Sequence, residues 1–441
     1  MNTADQSVAT TDIAGVIEAG GDRRSIGSAS ALLTAATLTA SGGNYALNLL
    51  LARWMSPSEF GDANLIVTLM LGLTAVAVSL QLIAAQQVSR SSAPDQQIAR
   101  QRLLQRSWII GGLVAFLLAG ASPAIAAMSS SASALPFVLL AVGVPAYLAQ
   151  SVERGVLQGR LRFRALASTL VVEAVVRLCV AVALVAAGFG VVGATAGISM
   201  SFVATWWWSR RCVAAKSADG VETTIALRMD SRLVSQATMI LLVGQIMINN
   251  GDVVLAKTLF DADVAGVYSV AALIGRAVFF LSWSVVTAAF PHVARGASAA
   301  VVADIRRQAM RHVLLISGSF TVAVALFAPP LTPLVFGVEY SSAGPLFAPY
   351  ALATSFFAMA NLVASLAVAQ GRRRPAIVTA LGGIVQTALL LALVNSSTEM
   401  VWLQVMVMAG LFVAVLVADR EESDRNVCEP DVVQVANQIQ S

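Results

Sequence analysis

Four charged residues stand well inside long apolar runs of this sequence: Glu173, Arg177, Asp252 and Arg276. A charge at the centre of a membrane helix costs roughly 2.5–3.5 kcal/mol on insertion scales, so such residues face a cavity or a partner. Glu173 and Arg177 are spaced i,i+4 with the acid first, so they can neutralise each other on one helix face or line a cavity together. Arg276 has no acid within a helical turn. Either it pairs with Asp252 on the neighbouring helix, or it is a cation aimed at an anionic substrate. Asp252 closes a polar face with Gln245 and Asn249, at i−7 and i−3. A carboxyl so placed is a candidate for exchanging a proton or cation, and Glu173 is the other. Glu153, Arg154, Arg53 and Lys257 lie nearer the ends of their runs, where long side chains can snorkel to water.

A second pattern concerns uncharged groups. Thr34, Thr37, Ser41, Asn44 and Asn48 recur at spacings of 3 and 4, which puts them on one stripe of a helix. Small polar residues of this kind serve interhelical packing, but two asparagines exceed what packing needs and suit a wet cavity. The candidate substrate-binding set is therefore Arg276, Arg177, Lys257, Arg53, Asn44, Asn48 and Asn249. The candidate ion-coupling groups are Asp252 and Glu173.

The elements that must position these residues follow from composition. Of 441 residues, 57% are hydrophobic and 12% charged, about half the charge of an average soluble domain. The apolar residues come in runs of about twenty, the length that crosses a bilayer as a helix. Twelve spans are expected, at 26–53, 61–88, 107–128, 134–158, 165–188, 190–209, 233–258, 264–290, 309–328, 344–370, 376–394 and 398–418. Alternate connections sort by charge. One set carries arginine groups such as Arg100/Arg102/Arg106, Arg160/Arg162/Arg164 and Arg372/Arg373/Arg374, whereas the other is short and carries Glu59, Asp261, Asp263, Glu339 and Glu399. Of the 28 Lys and Arg, all but Arg53, Arg154, Arg177, Lys257 and Arg276 fall on the first side. The positive-inside rule makes that side the cytoplasm, with both termini there. The residues before Arg23 lack a signal-peptide pattern, so the first span is expected to direct insertion.

The chain also repeats. NLLLAR (48–53) parallels DVVLAK (252–257), Gly61 parallels Gly266, and QGR at 158–160 returns at 370–372. Helices one and seven cross in the same direction, which predicts two parallel six-helix bundles about an axis along the membrane normal. The expected organisation is a cytoplasmic tail (1–25), an N-lobe (26–209), a linker (210–232), a C-lobe (233–418) and a second tail (419–441). The fold class is all-α and polytopic, with a central cavity between the lobes.

Other chemistry is missing. No connection has room for a soluble catalytic domain, and no phosphate-loop pattern precedes either Lys216 or Lys257, which argues against ATP hydrolysis. His292 and His312 lack metal-ligand spacing, Asp261-Ala262-Asp263 reads as a polar turn, and Cys179, Cys212 and Cys428 form no disulfide or metal pattern. Gly193-x-x-x-Gly197 reads as a packing motif. No cofactor, metal or nucleic-acid partner is expected, and the chain does not read as an enzyme.

At the level of motifs the chain resembles the polysaccharide repeat-unit flippases (O-antigen and capsule type) of the multidrug/oligosaccharidyl-lipid/polysaccharide exporter superfamily. ARWMSPSEFG (52–61) is similar to the end of their first helix, and NNGDVVLAK (249–257) with AGVYSVAALIGR (265–276) to their seventh-to-eighth helix signature. LQGRLRFR (157–164), AAFPHVAR (288–295), VFGVEYSSAGPLFAPYALA (335–353) and VAQGRRRP (368–375) fit as well. The resemblance implies two bundles in a V. It also implies movement of an undecaprenyl-diphosphate-linked oligosaccharide across the bacterial cytoplasmic membrane by alternating access, in surface polysaccharide biosynthesis. Its implied partners are that lipid-linked oligosaccharide, membrane lipids and proteins of a polysaccharide-synthesis complex. Arg276 sits where such proteins carry a basic residue in helix eight. The chain departs from the lipid II flippases in having no basic residue inside helix one and no two further helices, which argues against lipid II as cargo. A cation-coupled multidrug antiporter of the same fold is the rival reading. An oligosaccharide polymerase or ligase is the third, and the outer connection at 329–343 gives it little beyond Glu339.

Overall fold

The computed structural model describes residues 35–37, 39–90, 93–215, 231–294 and 299–439. Among them every regular element is helical. Residues 39–54 form α1. Then follow α2 (Pro57–Arg90), α3 (Ala93–Met128), α4 (Leu135–Gly159), α5 (Phe163–Leu184), α6 (Gly190–Ala214), α7 (Ser231–Leu259), α8 (Ala262–Ala294), α9 (Ala299–Val335), α10 (Gly344–Ala369), α11 (Arg374–Leu393) and α12 (Ser397–Ile439). In lipid, backbone polar groups have no water to bond, so helices satisfy them internally.

Ten helical stretches are long and apolar enough to cross a membrane. One of them, Phe163–Ala214, is two helices joined at a π turn, where Gly188 (φ 90°) and Gly190 (φ 48°) take backbone angles that a side chain would strain. Gly193 and Gly197 then press against Leu184 and Ala181, so α5 and α6 run antiparallel in close contact. Counting these as two and adding α1 gives the expected twelve. The part of the first expected span before residue 35, and the tail 1–25, lie outside the described residues.

Turn chemistry explains where helices start. Ser56 and Glu59 form a reciprocal capping box (Ser56 N to Glu59 Oε2 3.1 Å, Glu59 N to Ser56 Oγ 3.4 Å) with Pro57 opening α2. Three helices overrun their expected spans. α3 begins at Ala93 rather than 107, α9 at Ala299 rather than 309, and α12 continues through the expected tail to Ile439. Hydropathy detects only the lipid-facing part, whereas an existing helix extends at little cost into a polar segment. The extension of α3 is anchored where Arg100 meets the fully buried Glu153. That of α12 is anchored where Glu422 accepts the backbone N–H groups of Arg373 and Arg374. Of the expected linker, 210–214 continue α6 and most of the rest lies outside the described residues.

The duplication is visible in the packing. α4 lies against α2, α3 and α6, and its counterpart α10 lies against α8, α9 and α12, each the most buried helix of its bundle. The two bundles share one apolar core at the end of the molecule that holds the α1–α2 and α7–α8 turns, where Leu51, Met55 and Phe60 pack with Val253, Tyr268 and Tyr340. Towards the other end each bundle has cores of its own, one around Tyr147 and Phe202, the other around Phe357 and Met408. At the joined end the equivalent glycines Gly61 and Gly266 meet: a Cβ on Gly61 would lie 3.2 Å from the Gly266 Cα, and one on Gly266 would strike the Pro57 carbonyl. The molecule is therefore two six-helix bundles that share a core at one end and meet again along α2 and α7, where the Ser79 hydroxyl lies 2.9 Å from the Met239 sulfur.

Candidate functional site

Beneath the shared core lies a cavity of about 110 Å³ between the bundles. Asn44 and Asn48 reach it from α1, Arg177 from α5, Thr195 from α6 and Arg276 from α8. Leu51, Met70, Ile198, Leu273 and Phe280 supply apolar wall. Four of the expected binding residues are thus brought together from three helices of the N-lobe and C-lobe.

Arg177 is held as its spacing predicts, and by more than its spacing predicts. Glu173 accepts from it at 2.5 Å across the helical turn, but Arg154 of α4 also reaches Glu173, at 2.8 Å. Arg154 does not snorkel. It is buried and donates to the Thr169 hydroxyl and carbonyl, both at 3.0 Å. Two guanidiniums share one carboxylate, leaving a net positive cluster. Arg177 also donates to Asn44 Oδ1 (2.9 Å) and the Ser201 hydroxyl (3.4 Å) and lies 5.5 Å over the Phe202 ring. Glu173, one of the two coupling candidates, has both oxygens engaged by cations, and Gln150 donates to one of them as well.

Arg276 is different. It donates to Asn64 Oδ1 (2.6 Å) and Thr68 Oγ1 (3.1 Å) of α2, and to Asn250 Oδ1 (3.3 Å) of α7. All three acceptors are neutral, and two belong to the opposite bundle. The expected alternative, an ion pair with Asp252, is not formed. The reason is that Asp252 faces away into the C-lobe. Its Oδ2 accepts from Tyr268 (2.7 Å), Tyr350 (2.5 Å) and Gln404 (3.0 Å), while its buried Oδ1 has no hydrogen-bond donor. A small polar cavity of about 20 Å³, room for one water-sized occupant, lies between Arg276, Asn249, Tyr350, Gln386 and Gln404. It places the surroundings of Asp252 next to the cation of the main cavity. Asn249 belongs to this lesser cavity, its amide turned back to the Gln245 carbonyl.

Two expected binding residues lie elsewhere. Lys257 is buried at the joined end, where its Nζ meets Asp62 Oδ1 at 2.7 Å, and Ser131 donates to the same oxygen. Arg53 is exposed beside Gly337. Both sit in the last turn of their helices, α1 and α7, just before the short connections, which places them past the cavity at the junction. Sequence reasoning passed over Asn64 and Thr68, although their i,i+4 spacing marks a polar face of α2. It also passed over Tyr268, Tyr350 and Gln404, phenols and an amide that read as ordinary membrane-helix residues until Asp252 is seen between them.

Residues 27–297 match the family described as "Polysaccharide biosynthesis protein". The chain belongs to that family. A member of such length, with this many apolar helices, is a multi-pass membrane protein. Uncharacterised proteins from two strains of Mycobacterium tuberculosis are 27% identical over 318 residues, covering 67% of this chain and 68% of theirs. The fold is similar to that of the lipid II flippase MurJ in an inward closed conformation (TM-score 0.71, 10% identity, 92% of each chain). It is similar too to an inward-facing multidrug resistance MATE transporter (TM-score 0.67, 15% identity, 89% of this chain and 97% of that one). These likenesses establish the two-bundle architecture of the family member.

Proposed function

We propose that the protein is a transporter that moves an undecaprenyl-diphosphate-linked oligosaccharide repeat unit across the cytoplasmic membrane by alternating access. The observation that carries this reading is Arg276: a buried guanidinium on the wall of an inter-lobe cavity, bonded only to neutral oxygens. A hydrogen bond to a charged group contributes about 1.5–3 kcal/mol, and charge on both partners strengthens it further. Diphosphate oxygens therefore outcompete Asn64 and Thr68 for Arg276. Because those acceptors are on α2, binding cargo detaches α8 from α2 and loosens the lobes. Arg177, the surplus cation of the Glu173 cluster, supplies the second contact, and Asn44 and Asn48 offer amides to sugar hydroxyls. The lipid tail stays in the bilayer.

The arginine-rich end faces the cytoplasm and the joined end faces outward, with both termini inside. Opening to the outside then requires the Lys257–Asp62 pair and the Tyr340 hydroxyl bond to the Met55 carbonyl (3.1 Å) to part. Asp252 is the group that changes charge or cation occupancy during the swing. Its missing second donor and the absence of a direct ion pair support that role, and they also favour the rival reading, a cation-coupled drug antiporter. The chemistry asked of these residues is binding and release rather than bond-making, so the protein acts as a transporter and not as a polymerase or ligase.

The test is the leaflet distribution of lipid-linked oligosaccharide in cells depleted of the protein. Accumulation on the inner leaflet, relieved by wild type but not by Arg276→Ala, is expected. An unchanged distribution accompanied by altered tolerance of cationic dyes, sensitive to Asp252→Asn and indifferent to Arg276→Ala, would instead establish the antiporter.

A further inference from the structure

A cavity larger than the inter-lobe one lies at the arginine-rich end of the C-lobe between α8, α9, α10 and α12. Its volume is about 1070 Å³, at the upper limit of the roughly 300–1,000 Å³ typical of small-molecule pockets. The wall is divided by chemistry. Val302, Met310, Leu366, Phe412 and Leu416 form an apolar floor, and Arg306, Arg307, Arg311, Arg372 and Arg420 stand around it. The carboxylates present are Asp419 and Asp424, so the wall has a formal surplus of three positive charges.

The arginines fall into two groups. Arg306 (2.5 Å) and Arg372 (2.7 Å) both grip Asp419, and Arg372 also donates to the Asp419 carbonyl (3.0 Å) and to Gln370. These contacts fix the base of the cluster. The buried Arg372 Nε has no acceptor, and burial draws that guanidinium below its ordinary pKa, opposed by the Asp419 charge. Arg307, Arg311 and Arg420 are exposed and have no acidic partner among the described residues. The cavity sits at the depth where the apolar stretches of α9, α10 and α12 give way to polar sequence, the level of lipid headgroups. A free anion would leave the apolar floor wet, and an uncharged lipid would leave the arginines unmatched.

We propose that this cavity binds an anionic phospholipid, its phosphate among Arg307, Arg311 and Arg420 and an acyl chain on the Phe412–Leu416 floor. Basic pockets between membrane helices recognise such headgroups, each cation near the surface adding about a factor of five in affinity. The assignment stands whichever cargo the inter-lobe cavity carries, because the two cavities share no residue.

The experiment is a titration of the purified full-length protein in detergent, followed by native mass spectrometry and by the thermal melting shift. Its ligands are phosphatidylglycerol, phosphatidylcholine with the same chains, inorganic phosphate and undecaprenyl phosphate. Saturable binding of phosphatidylglycerol at least tenfold tighter than phosphatidylcholine is expected. Arg307→Ala/Arg311→Ala should weaken it by about thirtyfold, and these exposed positions leave folding intact. Ala303→Trp, which narrows the mouth without touching charge, should weaken it too. Equal affinity for the two phospholipids, or wild-type binding by the double variant, would overturn the proposal. Displacement by inorganic phosphate alone would make this a free-anion site. Undecaprenyl phosphate binding more tightly than phosphatidylglycerol would make it part of the cargo's route.

Discussion

Each lobe carries a carboxylate well inside an apolar helix, and the two are treated in opposite ways. In the N-lobe Glu173 lies between Arg154 and Arg177. In the C-lobe Asp252 lies among Tyr268, Tyr350 and Gln404, with one oxygen left without a donor. The first carboxylate is charge-matched, and removing its charge would leave two buried guanidiniums facing each other. The second has three neutral donors on one oxygen and none on the other. A duplicated fold can therefore surround one acid with cations and the other lobe's acid with neutral donors.

The contrast can be broken by substitution. Glu173→Gln should have the largest effect, a loss of about 3–5 kcal/mol as for other buried pairs stripped of one partner, read as a steep fall in melting temperature and in membrane-inserted yield. Arg276→Ala should follow, with at least a tenfold fall in cargo flux, about 1.4 kcal/mol or more, and a smaller fall in melting temperature than Glu173→Gln, because it strands neutral acceptors rather than charges. Tyr350→Phe removes one donor from Asp252 and should cost about 1–3 kcal/mol, visible in thermal melting. Asp252→Asn should cost least, within about 1 kcal/mol, since the amide oxygen still accepts from the phenols. It should nevertheless abolish the dependence of flux on an imposed ion gradient. A melting loss at Asp252→Asn equal to that of Glu173→Gln would erase the distinction between the lobes.

Much of this architecture was legible in sequence because lipid imposes a simple code. Span length, loop charge and the recurrence of Gly61 at Gly266 carry the helix count and the duplication without any knowledge of packing. The i,i+4 pair of Glu173 and Arg177 was legible for the same reason, being local. Partners that arrive from another helix were not. Arg154 reaches Glu173 across a helix pair, and Asn64 and Thr68 reach Arg276 across the lobe junction, so no spacing along the chain announces them. Asp252 shows the limit most clearly: proximity in sequence to α8 suggested Arg276, whereas rotation of α7 turns it to phenols on α8 and α10. The polar extensions of α3, α9 and α12 escaped because hydropathy reports solvent rather than backbone conformation.

The meeting of Gly61 and Gly266 has a genealogical consequence. In a symmetric dimer of half-length chains, one glycine would touch its own copy on the twofold axis, as any self-complementary contact does. Within one chain that single position becomes two separately inherited codons. The constraint is no longer equal: a side chain on Gly266 would run into the Pro57 carbonyl, whereas one on Gly61 would only crowd Gly266 and Lys257, so the two copies of one position are free to diverge at different rates.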